Sequence, residues 1–442
     1  VLASALALYA LAPGGGGSFA QLALPGTLSR QLLAPALVAA FFAFVRTRTW
    51  GLGATIAAIS LDLGFVHPTY LIFVAIPLAG FAVARLVLAR RDVVGCAAGL
   101  ACVGVPGALV FAWLAPIVSE TASHNPSHGE KQRALLQYAS QLDVGSPDRY
   151  RLAPEVFARA GAVAVAALVL VPLAALAARH RWAAYVLGGS TVVLGIELSP
   201  WIFPHFADAV SLSQARRAAG FLPFAFAFAG GAAVLAHSLR WLVLPAALAA
   251  GIVLQLRFPG DFGPGLSFGG PALATWIALG GGCAGLGAGI VLTRFGPRER
   301  FDWLPAAAAV LFVLPVAVHG FAHWSPGVSS DRSALTPGLV EALRTKVPER
   351  AVVYADLETS YRISAYAPVY VAVAPPAHVA DTTSNRPYGR RRDFLRFLGT
   401  GSLAIPRQYG ATWLVLRRNE LMRLQRRLPR VYADRWFVLL RL

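Results

Sequence analysis

Charge is scarce in this chain. Asp, Glu, Lys and Arg make up 14% of its 442 residues, against roughly 25% in an ordinary soluble domain, which excludes a surface solvated by water on all sides. Cysteine is scarcer still. Cys96, Cys102 and Cys283 all fall inside apolar runs, which argues against a disulfide framework or a zinc site. The last 121 residues contain none, so cysteine says nothing about their redox compartment. Lysine is limited to Lys131 and Lys346, so the basic set is arginine; with heavy use of Ala, Gly and Pro this points to a GC-rich bacterial genome. The single methionine is Met422, and no signal peptide is visible. Residues 1–12 read as the tail of a cut helix, so the expectation is at least one more span and a polar outer loop upstream of Val1. No Walker loop, dinucleotide fingerprint or nucleic-acid motif occurs. The formal charge of +18 therefore points to lipid headgroups or phosphorylated ligands rather than nucleic acid.

What is abundant is apolar sequence, 57% of the chain. Runs of membrane-spanning character recur near 31–45, 51–65, 69–88, 93–117, 157–178, 183–203, 220–237, 241–256, 271–293 and 303–321. The expected fold class is an α-helical polytopic membrane protein of about ten spans, with residues 1–12 a partial eleventh. Several runs are short, which is compatible with broken or re-entrant helices. The division is a transmembrane domain over 1–321 and a soluble α/β domain over 322–442.

The short loops set the topology. Alternate loops carry Arg46 and Arg48; Arg85, Arg90 and Arg91; Arg179 and Arg181; Arg240; and Arg294, Arg298 and Arg300. Tight basic loops belong in the cytoplasm. Loop 119–155, loop 204–219 and the C-terminal domain then face outward across the cytoplasmic membrane. Within the first of these, 130–142 reads as an amphipathic helix, lying on the membrane or solvated in the loop.

The C-terminal region holds 19 basic and 9 acidic residues. Its pattern alternates strands at Val352–Ala355, Val369–Val373, Trp413–Leu416 and Trp436–Leu440 with helices opening at Asp356 and spanning 388–399. That is a small α/β layer domain. Asp356, Glu358, Thr359 and Ser360 read as helix-capping residues. Arg390, Arg391 and Arg392 either meet lipid phosphates or solvate an exposed helix. In the membrane part, Gly281, Gly285 and Gly289 recur every fourth residue and form a helix-packing face.

Ionisable groups inside spans are the first candidates for function. Asp62 and Glu197 both sit toward predicted outer ends, with a satisfied or water-wetted carboxylate as the alternative. His67, in the turn His67-Pro68-Thr69-Tyr70, can exchange a proton or bind a phosphate oxygen, or simply flank a turn-forming proline. The most informative stretch is Asp208–Arg217. It brings Ser213, Gln214, Arg216 and Arg217 to an outer helix start, where paired guanidinium groups beside helix amides suit an anion. Arginines snorkelling to headgroups are the competing explanation.

Many spans, outer loops rich in polar residues, an arginine-bearing outer helix start and a C-terminal α/β domain together resemble bacterial GT-C membrane glycosyltransferases. The His67–Tyr70 turn and the Ser213–Arg217 stretch are similar to elements of actinobacterial members. The resemblance implies an inverting transfer of sugar from a polyprenyl-phosphate donor to a glycan or protein acceptor, on the outer face of the membrane and among membrane lipids. Its usual base, an Asp in the first outer loop, has no assured counterpart here. Arg216 and Arg217, with Ser213 and Gln214, would hold the leaving phosphate, and Asp62 or His67 would assist as base. No cofactor is demanded, although a divalent metal is compatible with the family. A transporter or lipid flippase, and a non-catalytic partner in envelope assembly, are the rival readings.

Overall fold

The computed structural model describes residues 25–259, 269–292, 303–322, 334–424 and 427–442. The expected cut helix at 1–12, the glycine run Gly14–Gly17 and the basic residues Arg294, Arg298 and Arg300 lie outside these. The chain forms two compact units, one of residues 1–116 with 132–329 and one of 117–131 with 330–442.

In the first unit every expected span corresponds to helix. These are α1 (Ala34–Thr47, continuous with a helical turn from Pro25), α2 (Trp50–Val66), α3 (Pro68–Leu88), α4 (Val93–Val118), a short polar α5 (Glu130–Gln137), α6 (Ala162–Leu170, continued as a tighter turn to Ala177), α7 (Arg181–Leu198), α8 (Phe203–Val210), α9 (Leu212–Ala215), α10 (Phe224–Leu239), α11 (Val243–Arg257), α12 (Ala272–Leu292) and α13 (Leu304–Ala322). Among the described residues six helical stretches are long and apolar enough to cross a membrane, or seven if the bent pair α7–α8 counts as one. This is fewer than the expected ten. The stretch Leu212–Arg257 merges two expected spans, and α2 and Ala162–Ala177 are apolar but under 18 residues. The chain is thus a multi-pass membrane protein by helix length and composition. Lipid-facing stripes are plain on the outer helices. Val105, Leu109 and Trp113 on α4, and Val310, Leu314, Val318 and Phe321 on α13, are exposed at helical spacing, as apolar side chains are where lipid replaces water.

The bundle is organised around α3 and α7, which run antiparallel. Gly80 and Gly188 bring the two backbones together so closely that a Cβ on either would collide with the other's carbonyl. One turn on, Gly189 fits over Pro77, 3.1 Å from where its own Cβ would stand. Small residues allow this approach, and dispersion rather than water exclusion is its reward in lipid. The spacing Gly281, Gly285, Gly289 works the same way on α12: a Cβ at these positions would strike Pro172, Leu187 and Ala178 respectively. Around α3 and α7 pack Phe41, Phe42, Phe81, Tyr185 and Phe226, in edge-on and tilted ring contacts.

One end of the α3–α7 pair is closed by a buried ionic clamp. Arg85, 0% exposed, meets Asp92 at 2.6 Å. Arg181 donates to both Asp92 oxygens at 3.0 and 3.1 Å, and Arg85 donates to the Arg179 carbonyl at 3.1 Å. Burial alone would raise the Asp92 pKa, but the hydrogen bonds and charges of Arg181 and Arg85 outweigh it and hold the carboxyl below its usual range. Three of the loops predicted to be basic and to share a side therefore do share one end: the Arg48 side chain also lies there, against Gly95.

At the opposite end α7 breaks. Ser199-Pro200 stops it, and α8 leaves at 90°, as proline at a helix exit requires. The polar segment 130–142 is α-helical to Gln137 and makes a tighter helical turn over Ala139–Gln141. It then forms a hairpin, β1 (Leu142–Ser146) antiparallel to β2 (Arg149–Leu152).

The second unit is a five-stranded sheet of order β4-β3-β5-β7-β6, where β3 is Val352–Tyr354, β4 Tyr370–Val371, β5 Trp413–Arg417, β6 Arg430–Ala433 and β7 Phe437–Arg441. The first three pair parallel and β7 pairs antiparallel with β5 and β6. Helices α14 (Pro337–Lys346) and α15 (Leu357–Tyr366) cover one face around Leu339, Leu343 and Ile363. Helix α16 (Pro387–Thr400) covers the other with Phe394 and Phe397. The layer domain expected from the strand–helix alternation is present, and Asp356 caps α15 by accepting from the Thr359 amide at 3.0 Å. Asp434 ties the β6–β7 turn to the α14 cap. It accepts from the hydroxyls of Thr336 and Tyr432 and from the amides of Trp436 and Phe437. Residues 117–131 belong to this unit, held by Ser127 donating to Asp381 at 2.6 Å and by a bridge from Pro126 to Thr382.

Candidate functional site

The site is built where α3 begins. His67 leaves the helical region with φ −154°, ending α2, and Pro68 takes the first position of α3, where its missing N–H costs nothing. The imidazole stacks on the buried Tyr70 ring at 3.7 Å. Thr69 Oγ1 lies 3.0 Å from His67 Nδ1 and 3.5 Å from Gln214 Oε1. When the hydroxyl donates to Gln214, its oxygen accepts from Nδ1–H and Nε2 keeps its lone pair. Burial and then the charge of Arg217 push the imidazole pKa below 6.5, against a backbone hydrogen bond that raises it. His67 is therefore neutral at pH 7.

Gln214 and the arginines arrive on a strained turn. Ser211, between α8 and α9, has φ 74° and ψ 146°, a conformation that L side chains rarely adopt and that costs about 1–3 kcal/mol. Its carbonyl accepts from the amides of Gln214 and Ala215, which fixes the direction of the turn. Arg216 is clamped. It donates to Gln141 Oε1 at 2.9 Å, and its guanidinium lies 4.1 Å from the Tyr138 ring centroid, a cation–π contact. Arg217 is exposed and makes no ion pair among the described residues. Arg159 adds a further cation. Burial, then repulsion from Arg216, lowers its pKa. The amino-terminal turn closes over the same place, for Gly26 sits against His67 and Tyr70, and the Arg30 guanidinium lies near Gly220.

Four of the six predicted site residues, His67, Gln214, Arg216 and Arg217, thus converge. Ser213 is half-buried on α9 beside them with no described hydrogen bond. Asp62 stands apart: it is exposed on α2, whose packed face is Gly53, Ile56, Ser60, Leu63 and Gly64, and no described contact joins it to His67. The amides expected to assist the arginines are displaced as well. Residues 218–221 form a tight turn and α10 starts only at Phe224, so no helix N-terminus follows directly on the arginines. Glu197 lies at the end of α7, 1% exposed, with both carboxylate oxygens unpartnered among the described residues and the Ala219 backbone facing it. Sequence reasoning missed Tyr138, Gln141 and Arg159. Their signal was the polar, aromatic-bearing segment of the long outer loop, which carries no local mark of pairing with Arg216.

Among the described residues no three His, Cys, Asp or Glu side chains gather in a way that would hold a metal ion. Compared with known protein families, curated proteins and solved structures, the chain matches none.

Proposed function

We propose that this protein is a membrane glycosyltransferase that takes its sugar from a polyprenyl-phosphate donor at the outer face of the cytoplasmic membrane, with the second unit on that same outer side. The observation that carries the reading is the arginine pair. Among the described residues neither Arg216 nor Arg217 meets a carboxylate; Arg216 is half-buried, where an uncompensated charge is costly, and Arg217 stands exposed beside it. A lipid-borne phosphate supplies the missing anion, and its polyprenyl chain remains in the bilayer. Arg216, pre-set by Tyr138 and Gln141, and Arg217, free to close, would stabilise charge as it develops on the leaving phosphate. In the transfer, an acceptor oxygen bonds to the sugar's anomeric carbon. The carbon–oxygen bond to phosphate breaks, and its electron pair leaves with the phosphate. The acceptor proton passes to neutral His67 at Nε2. The exposed position of Asp62 gives it no part in these steps.

The test is binding of a polyprenyl-phosphate sugar to the full chain in nanodiscs. Charge-assisted hydrogen bonds contribute about 1.5–3 kcal/mol, so Arg217→Ala should weaken binding by about tenfold or more. Arg217→Lys should restore it in part, since it keeps charge but not the fork. Unchanged affinity in Arg217→Ala and in the Arg216/Arg217 double variant would reject the phosphate role. A transporter or flippase is the second reading, favoured by the unpartnered Glu197 beside the 90° break. It predicts that Glu197→Gln abolishes lipid translocation in vesicles while donor binding persists.

A further inference from the structure

A cavity of about 470 Å³ opens on the β1–β2 hairpin, lined by Asp143, Gly145, Ser146, Arg149 and Arg151, with Pro200 from the break after α7. Its polar groups are held in place before any ligand arrives. Asp143 Oδ2 accepts from both Nε and Nη2 of Arg151 at 3.1 Å. The Arg151 guanidinium lies over Trp276 at 5.3 Å, and that of Arg149 over Trp201 at 5.0 Å. Asp143 Oδ1 has no described partner. One fixed acceptor and two stacked donor forks therefore stand around a cavity whose remaining wall is Val144 and the Pro200 ring.

A vicinal diol fits such a set. One hydroxyl donates to the carboxylate while its neighbour accepts from a guanidinium, and the ring's C–H face lies on the apolar wall. Within the cavity Asp143 and Arg151 offset each other, so this pair presents an acceptor beside donors with little net charge. At the Arg216–Arg217 cluster, by contrast, no acid meets either guanidinium among the described residues. The two sites are nonetheless neighbours in the chain. Asp143 follows by two residues the Gln141 that accepts from Arg216, so their Cα atoms lie within about 7 Å.

We propose that this cavity is a binding site for a neutral glycan, with Asp143 and Arg151 as its hydroxyl-reading pair. That the bound glycan is the acceptor of transfer rests on the function proposed above; that it binds here does not. The probe is a panel of neutral oligosaccharides, of furanose and pyranose sugars, screened against the full chain in nanodiscs, with the tightest member then titrated. At least one should bind at millimolar concentration or below. Asp143→Asn and Arg151→Gln should each weaken it by about tenfold, as for a lost charge-assisted contact, and Ser146→Trp should block it by filling the cavity. Arg217→Ala should leave it unchanged. If no member of the panel binds, or if binding survives both Asp143→Asn and Ser146→Trp, the pair serves only to pin the hairpin and the proposal falls. An unchanged thermal unfolding midpoint in nanodiscs shows that the variants are folded. Glycan binding without any donor binding would reject the transferase and leave the glycan site standing.

Discussion

Arginine is used in opposite ways at the two ends of the α3–α7 pair. At one end Arg85 and Arg181 share Asp92, which meets Arg85 at 2.6 Å and both its oxygens are taken by Arg181. At the other end Arg216 leans on a ring and an amide, and Arg217 meets no acid among the described residues. Charge satisfied by a buried acid fixes structure; at the other end Arg216 is held by neutral groups and Arg217 stands exposed. The difference teaches that the count of arginines at a membrane boundary is uninformative until their anions are found.

The contrast breaks most visibly at Asp92. Its removal leaves Arg85 buried without its counter-charge, and losing one member of a buried pair costs about 3–5 kcal/mol. Asp92→Ala should therefore lower thermal stability in detergent sharply, while Arg217→Ala should change it little. Equal losses at both ends would erase the distinction. Because the Asp92 pKa is depressed, the clamp's contribution is complete above about 3.8 and fades only as pH falls through the lowered value. The clamp should thus be insensitive to pH between 5 and 8.

A smaller effect belongs to the steric contact between the two ends. Gly188→Ala sets a methyl group against the Gly80 carbonyl, and overpacking of this kind costs about 1–3 kcal/mol. Gly195→Ala, on the same helix with open space around it, is the control and should be neutral to slightly stabilising. Unfolding measured by a thermal shift on both variants separates packing from helix propensity, which favours alanine at both.

These contrasts also mark what the residues disclosed and what they did not. Helices were legible wherever apolar runs were long, because in lipid every backbone amide must be satisfied within its own segment. The count of crossings was not legible, because Trp50–Val66 is apolar but short and the Leu212–Arg257 stretch joins runs that looked separate. The hairpin was hidden. Asp143-Val-Gly-Ser and Arg149-Tyr-Arg-Leu bury only Leu142, Tyr150 and Leu152, too few for an alternating signal. Strand β6 was lost for the same reason, being largely exposed. At the site, His67 and the arginines were marked by composition. Their contacts to Gln141 and Tyr138 join positions some 75 residues apart, a pairing that no local pattern encodes. Asp62 lies in an apolar run, and its helix turns it outward, with no described contact to His67.

The finest comparison is between protonation at the two ends, and it turns on His67. With the site empty, burial and the nearby Arg217 charge hold the imidazolium form down, so the pKa lies below 6.5. A bound phosphodiester places an anion beside both groups, offsets Arg217 and raises the pKa. The complex then carries more protons than the free protein, and linkage requires affinity to rise as pH falls from 7.5 toward 5.5. One titrating group limits the slope to at most tenfold per unit, and partial occupancy makes a few-fold change in all the expected size. The donor must be a phosphodiester, because a monoester titrates near pH 6 on its own account. The other groups facing His67 are Tyr70, Thr69, Gln214 and Arg217. In His67→Gln the pH dependence of donor binding should flatten while binding itself survives through the arginines. An identical slope in His67→Gln and the natural chain would show that the imidazole does not sense the anion, and would remove it as the group that receives the acceptor's proton.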